Sequence, residues 1–372
     1  METIRIILAM NSNSYCIIMA GGIGRRFWPI STKKYPKQFC DIMNVGKSFL
    51  QQTYERALQL FEPQNIFIVT GTAYEAITRE QIPGIPLENI LKEPFGKNTA
   101  PCIAYAAYKI AGINPDATMV VVPSDHFIYN DDIYNANILQ GISFVEQSKG
   151  LLTIGIKPTR PETGYGYIQV KKGKLSKNIL KVKTFTEKPD IEIAKIFLKS
   201  GDFLWNAGIF IWKVKEIINE FKNHLEDIWI LFEKDYKNKE NPDSPENIEH
   251  IYSQCTSISI DFGVMERSSE VYVVNGEFGW SDVGTWHAFH EISQKDENRN
   301  VFESSHILLL DSKECIINVP SQRKVVIQGL NNYIVAEKED VLMICNREHE
   351  DNIRHFEDML KQHEKNPGLK TP

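Results

Sequence analysis

An unbroken apolar run, Cys16-Ile17-Ile18-Met19-Ala20, ends in Gly21-Gly22-Ile23-Gly24-Arg25-Arg26. Apolar residues in succession, with no polar alternation, predict a strand buried on both faces, and hence a sheet covered by helices. Glycines at the end of such a strand let backbone N–H groups approach a ligand with no side chain in between. Arg25 and Arg26 follow at once, and Lys37 lies a short loop further on. Arginine supplies a fork of donors that matches phosphate oxygens, and lysine a point charge. The stretch has the chemistry of a phosphate cradle. Its spacing fits neither G-x-x-x-x-G-K-[ST] nor G-x-G-x-x-G, which excludes a P-loop and a dinucleotide fingerprint.

Further apolar runs alternate with helical periodicity: 65–71, 90–94, 118–123 and 151–156, with helices at 48–58 and 98–110 among them. Asn98 or Thr99 caps the second of these helices and Pro101 suits its first turn. The alternation predicts an α/β fold with a Rossmann-like, mostly parallel sheet, whose ligands bind at the carboxyl ends of the strands. That places the cradle, Glu93 and Ser124-Asp125-His126 along one rim. The middle third adds less regular strands near 164–170, 182–189 and 206–212, helices over 191–200 and 214–236, and a helix opened by Asp261. From about residue 301 short apolar runs recur between turn residues, predicting a small all-β, β-helix-like unit closed by a charged helix from Arg347 to Glu364. The expected organisation is an extension over 1–13, a main domain over 14–300 and a tail over 301–372 that carries no chemistry and ends in a frayed 366–372.

With 42% hydrophobic and 24% charged residues and a net charge of −6, the chain reads as a soluble protein with no nucleic-acid partner. No stretch is long enough to span a bilayer, the longest early candidate being the seven residues from Ile4 to Met10. The six cysteines form no C-x-x-C pair and several sit inside apolar runs. Buried free thiols in the cytoplasm follow from that pattern, and structural zinc does not.

Asp125 ends the fourth apolar run, and Asp282 sits in Trp280-Ser281-Asp282-Val283-Gly284. Each alone reads equally well as a turn or helix cap. Beside a phosphate cradle the two suggest a magnesium site, because Mg2+ takes a few carboxylates plus the phosphate oxygens of a substrate. His126 reads as a polar brace for its loop. A sugar phosphate is already ionised at neutral pH and needs no base to free it.

The stretch Met19 to Ile30, continued by Pro36-Lys37-Gln38-Phe39, closely resembles the signature of the sugar-1-phosphate nucleotidyltransferases. Phe27-Trp28-Pro29 and the Pro36 to Phe39 segment look like the mannose-1-phosphate guanylyltransferase (GDP-mannose pyrophosphorylase) branch. The resemblance runs in order over about residues 14 to 365. It implies an enzyme that joins GTP and mannose 1-phosphate into GDP-mannose and pyrophosphate, with Mg2+ on Asp125 and Asp282. It implies that Arg25 neutralises the triphosphate and Lys37 holds the reacting phosphates, while Gly21, Gly22 and Gly24 admit the nucleotide. Glu93-Pro94 with Asn98-Thr99 is similar to the family's base-reading segment, where a carboxylate suits the N1–H and N2–H2 edge of guanine. Gly166, Glu187, Lys188 and Asn206 look like its sugar-phosphate residues. Lys97 stands where the family has an arginine, which keeps the charge. Longer members carry a phosphomannose isomerase domain, and the resemblance is to a short form without one. Members are often dimers joined through the tail, so a homodimer is expected.

Overall fold

The computed structural model describes residues 13–171, 173 and 178–365. Residues 1–12 of the expected extension and the expected frayed end at 366–372 lie outside that range. Asn13, the last residue of the expected extension, already belongs to the fold: its amide donates to the Asp116 carbonyl at 3.0 Å and its carbonyl accepts from Thr118 N.

Among the described residues the main sheet has nine strands: β1 (Ser14–Ala20), β2 (Ile66–Gly71), β3 (Ile90–Glu93), β4 (Thr118–Pro123), β5 (Leu151–Ile156), β6 (Tyr167–Val170), β7 (Ile179–Thr186), β8 (Phe203–Lys213) and β9 (Val271–Gly276). Their order is β3-β2-β1-β4-β8-β5-β9-β7-β6, and β6 also pairs with β8. The first four strands are parallel neighbours, as are β5 and β9. β8 runs antiparallel to β4, β5 and β6, and β7 antiparallel to β9 and β6. The sheet is therefore mostly parallel in direction, with β7 and β8 reversed.

Alternate residues of each strand serve different layers. Ile17, Val121, Phe210 and Trp212 enter one core with the helices Thr99–Ile113, Val214–His224 and Pro245–Gln254. Ile211 and Leu152 point the other way, against Gly141 of the helix Asp131–Glu146, where a Cβ would fall on the Ile211 side chain. Burial on both faces explains why these strands read as continuous apolar runs.

The single helix expected over 214–236 is broken. Leu225 leaves helical geometry at φ −137°, ψ 57°, and the chain continues as Glu226–Leu231 and a π-turn over Phe232–Tyr236. Ile217, Phe221, Ile228 and Phe232 are all buried, so the apolar spacing continues across the break and gives no sign of it.

The short strands of the tail form a parallel coil. Ile307 pairs with Val325, Lys313 with Asn331 and Ile316 with Ile334, three pairings at the same sequence offset. Val341–Asn346 then closes antiparallel on Tyr333–Lys338. The charged segment after it is a 3-10 stretch, Arg347–Asn352, followed by the helix Ile353–Lys365.

Contacts divide the chain into two compact units, and the division does not fall at residue 300. Among the described residues one unit holds 13–21, 53–124 and 128–280, and the other holds 22–52, 125–127 and 281–365. In the second unit Phe27, Trp28 and Trp286 share one buried cluster with Val301, Ile316, Ile334 and Ile353. The tail is thus no separable appendage: its inward residues complete the core under the glycine loop.

Candidate functional site

In the second unit the glycine loop is shaped by its return to Lys37. Gly24 has φ +70°, and a Cβ there would fall on the Lys37 Cβ. Both facts require glycine. Phe27 N donates to the Gly24 carbonyl at 3.0 Å, and Lys37 N to the Ile23 carbonyl at 3.1 Å. Gly22 has open space around it.

Lys37 is 3% exposed. Its ammonium donates to the Asp282 carbonyl at 2.7 Å, to Asp125 Oδ2 at 2.9 Å and to the Asp125 carbonyl at 3.1 Å. The rings of Phe49 and Phe27 lie 5.1 and 5.8 Å from it. An ammonium has three N–H donors, and all three are committed to the two aspartate segments. In this arrangement Lys37 binds the Asp125 and Asp282 segments together.

Burial pulls the Asp125 carboxyl upward, but the Lys37 ammonium, His126 and the Lys37 hydrogen bond outweigh it, so Asp125 lies below the ordinary aspartate range. It is an ionised, partly exposed carboxylate. Asp282 Oδ1 accepts from Gly284 N at 2.9 Å, and a Cβ on Gly284 would sit 2.5 Å from Asp282 Oδ2. Among the described residues no three of His, Cys, Asp and Glu gather as a metal cage. Two anionic oxygen donors from separate segments, tied to one lysine, nevertheless fit a hard cation that takes its remaining ligands from phosphate and water.

Arg25 opens the 3-10 turn Arg25–Phe27 and is half-exposed, with Nη1 3.6 Å from Asp358 of the terminal helix. Arg26 pairs likewise with Asp351 at 3.4 Å. The segment expected to carry no chemistry therefore supplies the partners of both loop arginines.

In the first unit Gly21, Glu93 and Ser124 stand at the carboxyl ends of β1, β3 and β4, with Ser124 N donating to the Met19 carbonyl. Glu93 is 5% exposed; Oε1 accepts from the Tyr252 hydroxyl at 3.1 Å, and Oε2 lies 3.3 Å from where a Gly21 Cβ would be. Burial lifts its pKa to about 7 against the lowering effect of the Tyr252 bond. Asn98 caps its helix from φ +68°, with Oδ1 accepting from Thr99 N. The Thr99 hydroxyl accepts from Ile260 N at 2.8 Å.

The four sugar-phosphate candidates come together in the first unit. Asn206 N donates to the Gly166 carbonyl at 2.8 Å, and a Cβ on Gly166 would lie 2.7 Å from Glu187 Oε2. Lys188, at φ +45°, pairs with Glu187 Oε1 at 2.8 Å. A fifth residue joins them. Asp261 is the first residue of the π-turn Asp261–Met265 rather than a cap, and its Oδ1 accepts from Asn206 Nδ2 at 2.8 Å. The cap-like bond belongs to Ser259, whose hydroxyl accepts from Phe262 N. Burial and the Glu187 carboxylate push Asp261 up to about 7, opposed by the Asn206 bond and Lys188. Asp261 and Tyr252 were not legible as site residues: each partner, Asn206 or Glu93, is distant in sequence.

The six cysteines are free and buried. No helix among the described residues is long and apolar enough to cross a membrane.

Residues 15–299 match the sequence model of the nucleotidyl transferase family. The alginate biosynthesis protein AlgA of Pseudomonas putida is 35% identical over 93% of this chain and 70% of its own length. A mannose-1-phosphate guanylyltransferase of Klebsiella pneumoniae is 34% identical over 94% of this chain and 74% of its own. Among solved structures, a mannose-1-phosphate geranyltransferase of Thermus thermophilus aligns at TM-score 0.84 and 29% identity, covering 94% of this chain and 99% of that one.

Proposed function

The chain belongs to the nucleotidyl transferase family, and on that premise we propose that it transfers GMP from GTP to mannose 1-phosphate, giving GDP-mannose and pyrophosphate. The observation that carries the detail is the join of Asp125, Lys37 and Asp282 from three separate segments. An oxygen of the sugar phosphate attacks the α-phosphorus in line; the new O–P bond forms as the bond to the β-phosphate oxygen breaks, and pyrophosphate leaves. The sugar phosphate is already anionic, so no general base is required. Positioning and charge neutralisation carry the rate.

Asp125 and Asp282 would hold Mg2+, which supplies Lewis-acid neutralisation of the phosphates when bound. Lys37 holds the two aspartate segments in place. Arg25 exchanges Asp358 for phosphate oxygens. Glu93, with Asn98 and Thr99, reads the guanine edge, and Gly21, Gly22 and Gly24 clear the approach. Gly166, Glu187, Lys188 and Asn206 hold the sugar phosphate. The cysteine pattern supports a cytoplasmic enzyme.

A homodimer is part of the same reading. Leu308 and Val326 are paired neighbours on the outer face of the tail coil, 52% and 69% exposed, and Leu342 and Ile344 also face outward. Apolar strand faces of this kind are covered by another element or another chain.

Pyrophosphate release measured over a panel of nucleotides and sugar 1-phosphates with magnesium tests the activity. The expected best pair is GTP with mannose 1-phosphate. Faster turnover with another pair reassigns the substrate, and no turnover with any pair removes catalysis.

A further inference from the structure

Asn206 is held on three sides. Its Oδ1 accepts from Gly208 N at 3.1 Å and lies 3.1 Å from the Thr153 hydroxyl, whose single proton is shared with the Ile209 carbonyl at 2.9 Å, and its Nδ2 donates to Asp261 at 2.8 Å. Gly208 N can only donate, so the amide atom beside it is the oxygen and the one beside Asp261 is the nitrogen. Opposite demands at the two ends leave the amide one orientation. One N–H of Asn206 then has no partner among the described residues, and its direction is set by the bonds to Gly208 and Asp261. The surroundings are those of the sugar-phosphate cluster: the Gly166 backbone, Glu187 and Lys188.

We propose that Asp261 is a positioning residue of this cluster, whose carboxylate fixes the Asn206 amide so that its remaining N–H is presented to a hydroxyl of the sugar phosphate. The proposal rests on the activity assigned above. Asp261 is a half-buried carboxylate close to a second one, Glu187. Burial and like charge both disfavour its ionised form, so a merely structural contact would be better served by asparagine. Once ionised, a carboxylate is an acceptor without donor ambiguity, which an asparagine amide is not.

The test is steady-state pyrophosphate release with GTP and mannose 1-phosphate for wild type, Asp261→Ala, the near-isosteric Asp261→Asn, Asn206→Ala and the double variant Asp261→Ala/Asn206→Ala. Asp261→Ala should raise KM for mannose 1-phosphate about tenfold, the scale of one hydrogen bond to a charged group. Asp261→Asn should raise it less. KM for GTP and kcat should stay within about threefold, and in the Asn206→Ala background the Asp261→Ala effect should vanish. An unchanged sugar-phosphate KM in both Asp261 variants overturns the proposal, as does an effect that persists in full without Asn206. Equal losses in both substrates' KM with a lowered melting temperature also overturn it, because they mark a structural role. Failure of the wild type to use this substrate pair is a different result: it removes the assigned activity, and the proposal with it.

Discussion

Lys37 shows how one side chain's role is set by its donor count. A lysine in a phosphate cradle is expected to touch phosphate, yet all three of its N–H bonds go to Asp125 and Asp282 segments. Lys37→Met should therefore lower kcat about 100-fold or more and raise the magnesium concentration needed for half-maximal rate, with a smaller change in nucleotide KM. A loss confined to nucleotide KM would return Lys37 to direct phosphate binding. Glu93 gives a second residue-scale expectation. The folded chain keeps its proton up to about pH 7, whereas an unfolded chain loses it near pH 4.3. Between those values the folded state binds more protons, so this group's contribution to stability falls as pH rises, and the penalty is complete above pH 7. It amounts to at most about 4 kcal/mol. Glu93→Gln removes the titration: it should melt several degrees above wild type at about pH 8 and level with it at about pH 4. Guanine selectivity bears on the same carboxyl, because two acceptor oxygens exist only once it is ionised. Preference for GTP over ATP should rise with pH in the wild type and be flat and weaker in the variant.

At the scale of elements, the terminal helix Ile353–Lys365 is read differently by its two sides. Ile353 is buried in the cluster under the glycine loop, and Phe356 meets Trp28 edge-on at 6.4 Å. Asp358 reaches Arg25, while Met359 and Leu360 remain exposed. The apolar contacts hold the helix, and the half-exposed ion pair adds little stability. What the pair changes is the availability of Arg25. Asp358→Asn should leave the melting temperature unchanged and lower KM for GTP up to about twofold, because Arg25 no longer exchanges a carboxylate for phosphate. A raised KM would mean that Asp358 aims Arg25 instead. The tail coil is a second element whose logic is clear only from pairing. Its register repeats at one offset although its sequence does not, since turns at Asp311, Glu314 and Asn332 take positive φ on residues other than glycine.

For the whole molecule, the two compact units cut across the boundary that composition drew at 300. Deleting 301–372 would remove Val301, Ile316, Ile334 and Ile353 from the core that holds Phe27 and Trp286, so truncation cannot isolate an interface. Point changes on the outer face can. Leu308→Asp with Val326→Asp should give a monomer by light scattering, with the melting temperature of the rest of the fold preserved, if the wild type is a dimer joined there. A variant that stays dimeric moves the interface elsewhere, and a monomeric wild type removes it.

The local order of the main sheet was determined by the sequence, because a strand buried on both faces must be apolar throughout, and a helix against it must repeat every three to four residues. The glycine loop was equally legible: Gly24 has a backbone that other residues rarely adopt and stands against Lys37 with no room for a side chain. So was the grouping of Gly166, Glu187, Lys188 and Asn206, through the order of a known pattern. Tertiary structure alone decided the break at Leu225, the partners of Lys37 and Arg25, the Glu93–Tyr252 bond and the place of Asp261. Each of these depends on which distant segment packs opposite. A carboxylate that caps a turn and one that pins an amide from another strand have the same local sequence, and only the packed chain distinguishes them.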